Sequence, residues 1–218
     1  AAVARARRGA RTVRVARGAE EAEAPLRTTP VGQANGTSRA AGPSGTATAR
    51  GRGVLVTVLT AGLVSGVSLL CGLPLRYAVL SFTMQWAFFL LHGWPLRSEK
   101  LFDASGSLTH LALVVTALVS EPVQSPRQII NGVLAVVWCT RLGTFLFNRI
   151  ASDGKDDRFT AMKTDFWKFS VAWNFQVLWC FLLQLPILIV NTAQAQPAIG
   201  LCDLLGWTIW ALGFLVES

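Results

Sequence analysis

Histidine and methionine are nearly missing from this chain of 218 residues, which holds two of each and a single tyrosine. With only His92 and His110, and with Cys71, Cys139, Cys180 and Cys202 at no close spacing, there is no HExxH pattern and no Cys/His cluster, so no metal ligand is assigned. The sequence also lacks a glycine-rich phosphate loop and a G-x-S-x-G elbow, which removes the commonest signatures of soluble nucleotide enzymes and hydrolases. Charged residues amount to 15%. All four cysteines fall in or at the edge of apolar stretches and read as packing residues.

What the chain has instead is long apolar runs. Hydrophobic residues make up 52% and the mean hydropathy is +0.45. Stretches of spanning or near-spanning length occur at Val54–Leu73, Tyr77–Trp94, Leu108–Val119, Ile129–Phe147, Phe169–Val190 and Ile199–Val216. A bilayer core takes about 20 apolar residues of helix, so the pattern predicts an all-α, polytopic transmembrane helical bundle of about six spans. The third stretch reaches that length only if its helix starts near Asp103; otherwise it is re-entrant. Pro74, Pro95, Pro122, Pro126 and Pro197 fall at the proposed connections, whereas Pro186 lies inside the fifth span and is expected to kink it. Trp94, Trp167 and Tyr77 stand near span ends, as an interfacial aromatic belt would.

The net charge of +8 is unevenly placed. Residues 1–52 hold ten Arg against three Glu, and the remainder holds ten Lys or Arg against nine Asp or Glu. This leader, without lysine and without an apolar run, fits a disordered organellar transit peptide; a basic tail on the cytosolic side of an endomembrane protein is the alternative. The membrane is accordingly that of a chloroplast or another organelle, or of the endoplasmic reticulum. No aromatic residues interleave with the arginines, so nucleic acid is not expected as a partner. Arg97, Lys100, Arg149, Lys155, Arg158, Lys163 and Lys168 all fall on one side of a six-span topology, and only Arg76 and Arg127 on the other, an asymmetry that puts both chain ends on the basic side and favours counting the third stretch as a span.

Arg141 is the first residue to explain, because it stands near the end of an apolar span and an arginine near the middle of a membrane helix costs roughly 2.5–3.5 kcal/mol on insertion scales, less towards the ends. Asn148 lies about 20° and Thr144 about 60° from it around the helix, giving one polar stripe that must face protein or water. Beyond it, RIASDGKDDRFTAMKTDFWK mixes both signs of charge. It is either a solvated loop of weak pairs or, with Arg141, Arg149, Lys155 and Arg158, a cationic rim for the phosphates of a dinucleotide or for anionic lipid headgroups, Asp157 orienting an arginine or accepting a ribose hydroxyl. Asn174, Gln176 and Gln184 place carboxamides at membrane depth, where they bond between helices or line a polar cavity. Asp103 is a candidate N-cap for the third span, since Asp before small residues opens helices well.

SEKLFDASGSLTH, WCTRLGTFLFNRI, GKDDRF and QVLWCFLLQLP form, by their order and spacing over residues 98–217, a set that resembles the membrane family related to the C-terminal domain of steroid 5-alpha-reductases. The resemblance implies a domain over residues 53–218 that reduces carbon–carbon double bonds of sterols or other lipids with NADPH. It assigns Asp103 and Gly106 to an Asp-x-x-Gly element, Arg141, Arg149, Asp157, Arg158 and Gln176 to cofactor binding, and Pro186 to the helix that follows. No catalytic residue is assigned, because the Glu and Tyr that polarise an enone in well-known steroid reductases have no counterpart here. In that family the sixth span leads into an acidic segment and an Arg-His-Pro-Asn-Tyr region; the chain stops before it, so the domain is expected to be C-terminally truncated, with Glu217 as the first residue of that segment. The competing readings are a non-catalytic membrane protein that binds lipid or a partner, and an isoprenylcysteine-type membrane methyltransferase.

Overall fold

A computed structural model describes residues 43–122 and 125–217, all within one compact unit, Ala40–Ser218. Six α-helices follow one another: α1 (Pro43–Leu70), α2 (Arg76–Phe88), α3 (Phe102–Ser120), α4 (Pro126–Asp153), α5 (Phe166–Thr192) and α6 (Leu201–Glu217). No strand occurs among the described residues. Four stretches, Ala47–Leu70, Phe102–Ser120, Pro126–Asp153 and Phe166–Thr192, are long and apolar enough to cross a membrane, which makes this a multi-pass integral membrane protein. The two other expected spans are shorter. α2 ends after 13 residues and continues as a π turn, Phe89–Gly93, and α6 has 17 residues. The third stretch is a full span, because its helix starts at Phe102 as the length required. The boundary drawn at residue 52 falls inside α1, which is already helical from Pro43; the transit-peptide reading otherwise lies on residues outside those described.

Two loops meet at one end of the bundle. Arg97 Nη1 donates to the Lys163 carbonyl at 2.8 Å and the Asp156 N–H donates to Glu99 Oε1 at 2.8 Å, joining the connection before α3 to the one before α5. At the other end Arg76 pairs with Glu121, and Arg127 with Asp203. This is the alternation that the basic-residue count predicts. Arg97 holds a left-handed backbone (φ 48°), which is strained for a residue with a side chain; its guanidinium lies 3.2 Å over the Trp94 ring and its carbonyl bond to Lys163 adds a second restraint.

Lipid tails are as apolar as leucine, so packing and interhelical hydrogen bonds must hold such helices together. An aliphatic half of the core gathers Val64, Leu73, Leu113, Val177, Phe181 and Leu188; an aromatic half, nearer the charged loops, gathers Phe89, Phe159, Phe169 and Trp173. Between them lies a polar layer. Gln85 Nε2 donates to Thr109 Oγ1 at 2.8 Å while its oxygen accepts from Ser105. Asn174 donates to Thr57 Oγ1 and accepts from Trp86 Nε1, tying α5 to α1 and α2. Tyr77 is fully buried with its hydroxyl on Glu121 at 3.0 Å, so it is a core residue and not part of an interfacial belt. Cys139 and Cys180 are buried as expected, but Cys71 and Cys202 are exposed on the protein surface. Pro126 opens α4 at its first turn behind a Ser125/Gln128 capping box. Pro186 sits within α5, which continues through it.

α1 runs close along α5 because Gly53 has no side chain: a Cβ there would lie 2.5 Å from Trp167 Cβ and 3.0 Å from the Trp167 carbonyl oxygen. Gly53→Ala must therefore push the helices apart, and a loss of about 1–3 kcal/mol, the usual cost of overpacking, is expected as a lowered melting temperature in detergent. A second test addresses the topology. Single cysteines at positions 100 and 155, in a background without the native four, should react with an impermeant maleimide from the same side of sealed vesicles; reaction from opposite sides overturns the arrangement.

Candidate functional site

The charged end of the bundle assembles four stretches distant in sequence. Asp103, in the first turn of α3, accepts from Arg149 Nη2 near the end of α4 at 2.7 Å. Arg158, in the 3₁₀ turn Asp157–Phe159, grips Asp156 through Nε and Nη2, and its guanidinium lies 5.7 Å from the Phe159 ring centroid. The two pairs feel each other: Arg149 acts on Asp156 and Asp103 on Arg158 through space. From α5, the Gln176 amide packs onto the face of α3 at Gly106, where any Cβ would collide with it. Gln176 makes no hydrogen bond among the described residues and lines a groove of about 500 Å³ with Phe102, Phe175 and Trp179.

Three assignments made from sequence change. Asp103 does not cap α3; the N-cap position falls on Leu101, and the Asp103 carboxylate pairs with Arg149 instead. Asp157 does not orient an arginine: it is 79% exposed and meets Lys155 at 2.9 Å, while its neighbour Asp156 holds Arg158. Arg141 does not join Arg149 at the rim. It lies about 12 Å deeper along α4, eight residues at 1.5 Å each, and its Nη1 meets Glu217 Oε1 of α6 at 2.9 Å with the Phe214 ring nearby. The polar stripe does face an opening, since Arg141, Thr144 and Asn148 line a groove of about 660 Å³ closed on one side by Phe214. The rim is thus a lattice of opposite charges: Lys155, Lys163, Arg149 and Arg158 each have a carboxylate partner.

Glu99 was missed in the sequence, yet it is 4% exposed and pairs with Lys163 as well as accepting from the Asp156 N–H. Burial alone would raise its carboxyl, but those two donors outweigh burial and hold it below the ordinary glutamate range. The Arg158 guanidinium likewise holds Asp156 below the usual carboxylate range. No local pattern marks Glu99, since its partners come from a loop far along the chain. His110 was also passed over. It is 2% exposed, its Nδ1 meets Gln184 Nε2 at 3.2 Å, and its ring stands edge-on to Trp138. No cluster of histidine, cysteine and carboxylate suited to a metal ion occurs among the described residues.

Because the folded-state value of Glu99 is depressed, its contribution to stability is present at neutral pH and is lost as the pH falls below the ordinary value of about 4.3. Glu99→Gln should lower the melting temperature in detergent at pH 7, and the gap between the two proteins should close on acidification; a gap that stays constant down to pH 3 overturns the role given to this carboxylate.

No match is found among curated proteins or among solved structures. The sequence model of one family, DUF1295, described as a protein of unknown function, matches residues 88–218. That segment takes in the π turn, helices α3 to α6 and both charged loops, which is more than half of the chain, and the protein belongs to the DUF1295 family.

Proposed function

We propose that the protein is a membrane oxidoreductase, related to the C-terminal domain of steroid 5-alpha-reductases, that reduces a carbon–carbon double bond of a lipid or sterol-like substrate with NADPH. The observation that carries the reading is the convergence of Asp103 and Gly106, Arg149, Arg158 and Gln176 at one end of the bundle, since these come from the four separate stretches in which the resemblance lies. The arginine-rich leader fits import into a chloroplast or another organelle, the endoplasmic reticulum being the alternative.

The donor set suits a phosphate-bearing cofactor although Arg149, Lys155 and Arg158 are each paired with a carboxylate. Arg149 engages Asp103 through Nη2 alone, and Arg158 engages Asp156 through Nε and Nη2, so both keep free N–H edges among the described residues. Their side chains are 38% and 67% exposed, and that of Lys155 is 72% exposed. Arg149, Arg158 and Lys155 would hold phosphates, Asp157 a ribose hydroxyl, and Gln176 a carboxamide-sized group; Arg141 would act from deeper in the groove of α4. When bound, NADPH supplies the hydride. The protein contributes orientation at the charged end and an apolar path from the bilayer for the substrate.

A non-catalytic membrane protein that binds lipid or a partner is the second reading, favoured by the pairing of each rim cation with a carboxylate. NADPH titration of the detergent-purified protein, followed by cofactor fluorescence, separates the two. Saturable binding that weakens about tenfold or more in Arg149→Ala and in Arg158→Ala is expected, as for the loss of a charged hydrogen bond. Absence of binding, or binding indifferent to both substitutions, overturns the reductase reading.

A further inference from the structure

α6 lies beside α4 with a fixed offset. Arg127 holds Asp203 through two bonds of 2.6 and 2.7 Å, Trp207 Nε1 donates to Asn131 Oδ1 at 2.8 Å, and Arg141 meets Glu217, each pair separated by 76 residues. The two helices therefore run parallel and in register, α6 fastened near both of its ends to α4 between Arg127 and Arg141. Between the fastenings they do not close. A cavity of about 660 Å³ lies between α4, α5 and α6, a size typical of small-molecule sites. Its α6 wall includes Gly206 and Gly213, where an added Cβ would meet nothing within 4 Å. These glycines do not serve close helix packing; they leave the space open.

The lining says what could fill it. Trp138, Trp207, Trp210 and Phe214 give it aromatic walls. Its two acids are already neutralised, Asp203 by Arg127 and Glu217 by Arg141, so an ionised ligand would give up its hydration and find no free counter-charge. Among the buried residues of the lining one polar group is left over. Gln184 lines the cavity and is 2% exposed; its amide nitrogen is held by His110 Nδ1 at 3.2 Å and Cys139 Sγ at 3.5 Å, while its oxygen accepts no hydrogen bond among the described residues. His110 itself is packed against Trp138, and with its proton on Nε2 its Nδ1 accepts from the Gln184 amide, so the carboxamide is oriented from behind by a buried ring.

We propose that this cavity binds an uncharged lipid bearing a hydroxyl group, with the Gln184 oxygen accepting the hydroxyl hydrogen and His110 as the positioning residue that keeps the oxygen turned inward. An acceptor fixed in this sense recognises a donor and not a carbonyl or an ether. The inference does not rest on the reductase reading, since it uses neither hydride transfer nor Arg149 and Arg158.

The test uses dibrominated stearyl alcohol, its methyl ether and the corresponding fatty acid as quenchers of tryptophan fluorescence, with the full chain in nanodiscs at neutral pH; Trp138, Trp207 and Trp210 report on the cavity. Saturable quenching by the alcohol is expected at a half-saturating concentration roughly fivefold or more below those of the ether and the acid, the effect of one neutral hydrogen bond. Gln184→Leu should bring the alcohol to the level of the ether, and His110→Ala should reduce the preference for alcohol. Gly213→Phe, placed where a side chain meets open space, should remove saturable quenching without disturbing the fold. Equal quenching by alcohol and ether, the mark of an ordinary acyl chain filling the gap, overturns the proposal, as does a preference that survives Gln184→Leu. If Gln184→Leu fails to fold, Gly213→Phe decides: undiminished quenching by the alcohol sinks the assignment of the site.

Discussion

A guanidinium carried into a lipid-spanning helix has to meet an anion or water, and α6 supplies the anion. Arg141 on α4 faces Glu217 at the far end of α6, with the Phe214 ring beside it. α6 buries none of its residues, so apolar packing contributes little to its position. Its place against α4 is set by polar contacts, with Arg127 and Asp203 at the start, Asn131 and Trp207 next, and Arg141 and Glu217 at the end. The cavity, the groove beside the polar stripe and the aromatic walls all follow from that placement, because α6 is held alongside without being drawn in.

The opposite construction holds the rest of the bundle. α1, α2, α3 and α5 interlock through a dense apolar core divided by a hydrogen-bonded layer, in which Gln85 and Asn174 have both their donor and acceptor groups engaged. A carboxamide satisfied on all sides specifies which helices are neighbours, because any other arrangement leaves it unpaired in lipid. Gln184 and Gln176 differ from these. Each retains an unused polar atom among the described residues, and each lines a space large enough for a ligand. The molecule thus separates carboxamides that build from carboxamides that face openings, although all four sit at similar hydrophobic depth in the sequence.

Run length and charge placement made the helical class, the six elements and the shared side of the two charged loops legible in advance, since those depend on local hydrophobicity and on counting. The start of α3 near Asp103 also followed from length alone. What stayed hidden depends on contacts between distant positions. Nothing near Asp156 distinguishes it from Asp157, yet only one of them points at Arg158. Glu99 reads as a surface glutamate until the loop carrying Lys163 is folded over it. Tyr77 resembles an interfacial anchor in sequence and is a core residue in space, because its hydroxyl finds Glu121 across the bundle. Arg141 was visible as a problem, but its solution lay 76 residues later.

The constant separation of the three α4–α6 fastenings has one more implication. Because both helices advance by about 100° per residue, a single inserted or deleted residue near the middle of either one cannot be absorbed locally. It would rotate every downstream group away from its counterpart, so that the last ion pair separates while the first persists. Length between the fastenings is therefore constrained more tightly than side-chain identity within them, and natural variation along this pair of helices should appear as exchanges of residue type, with gaps confined to the connecting segments.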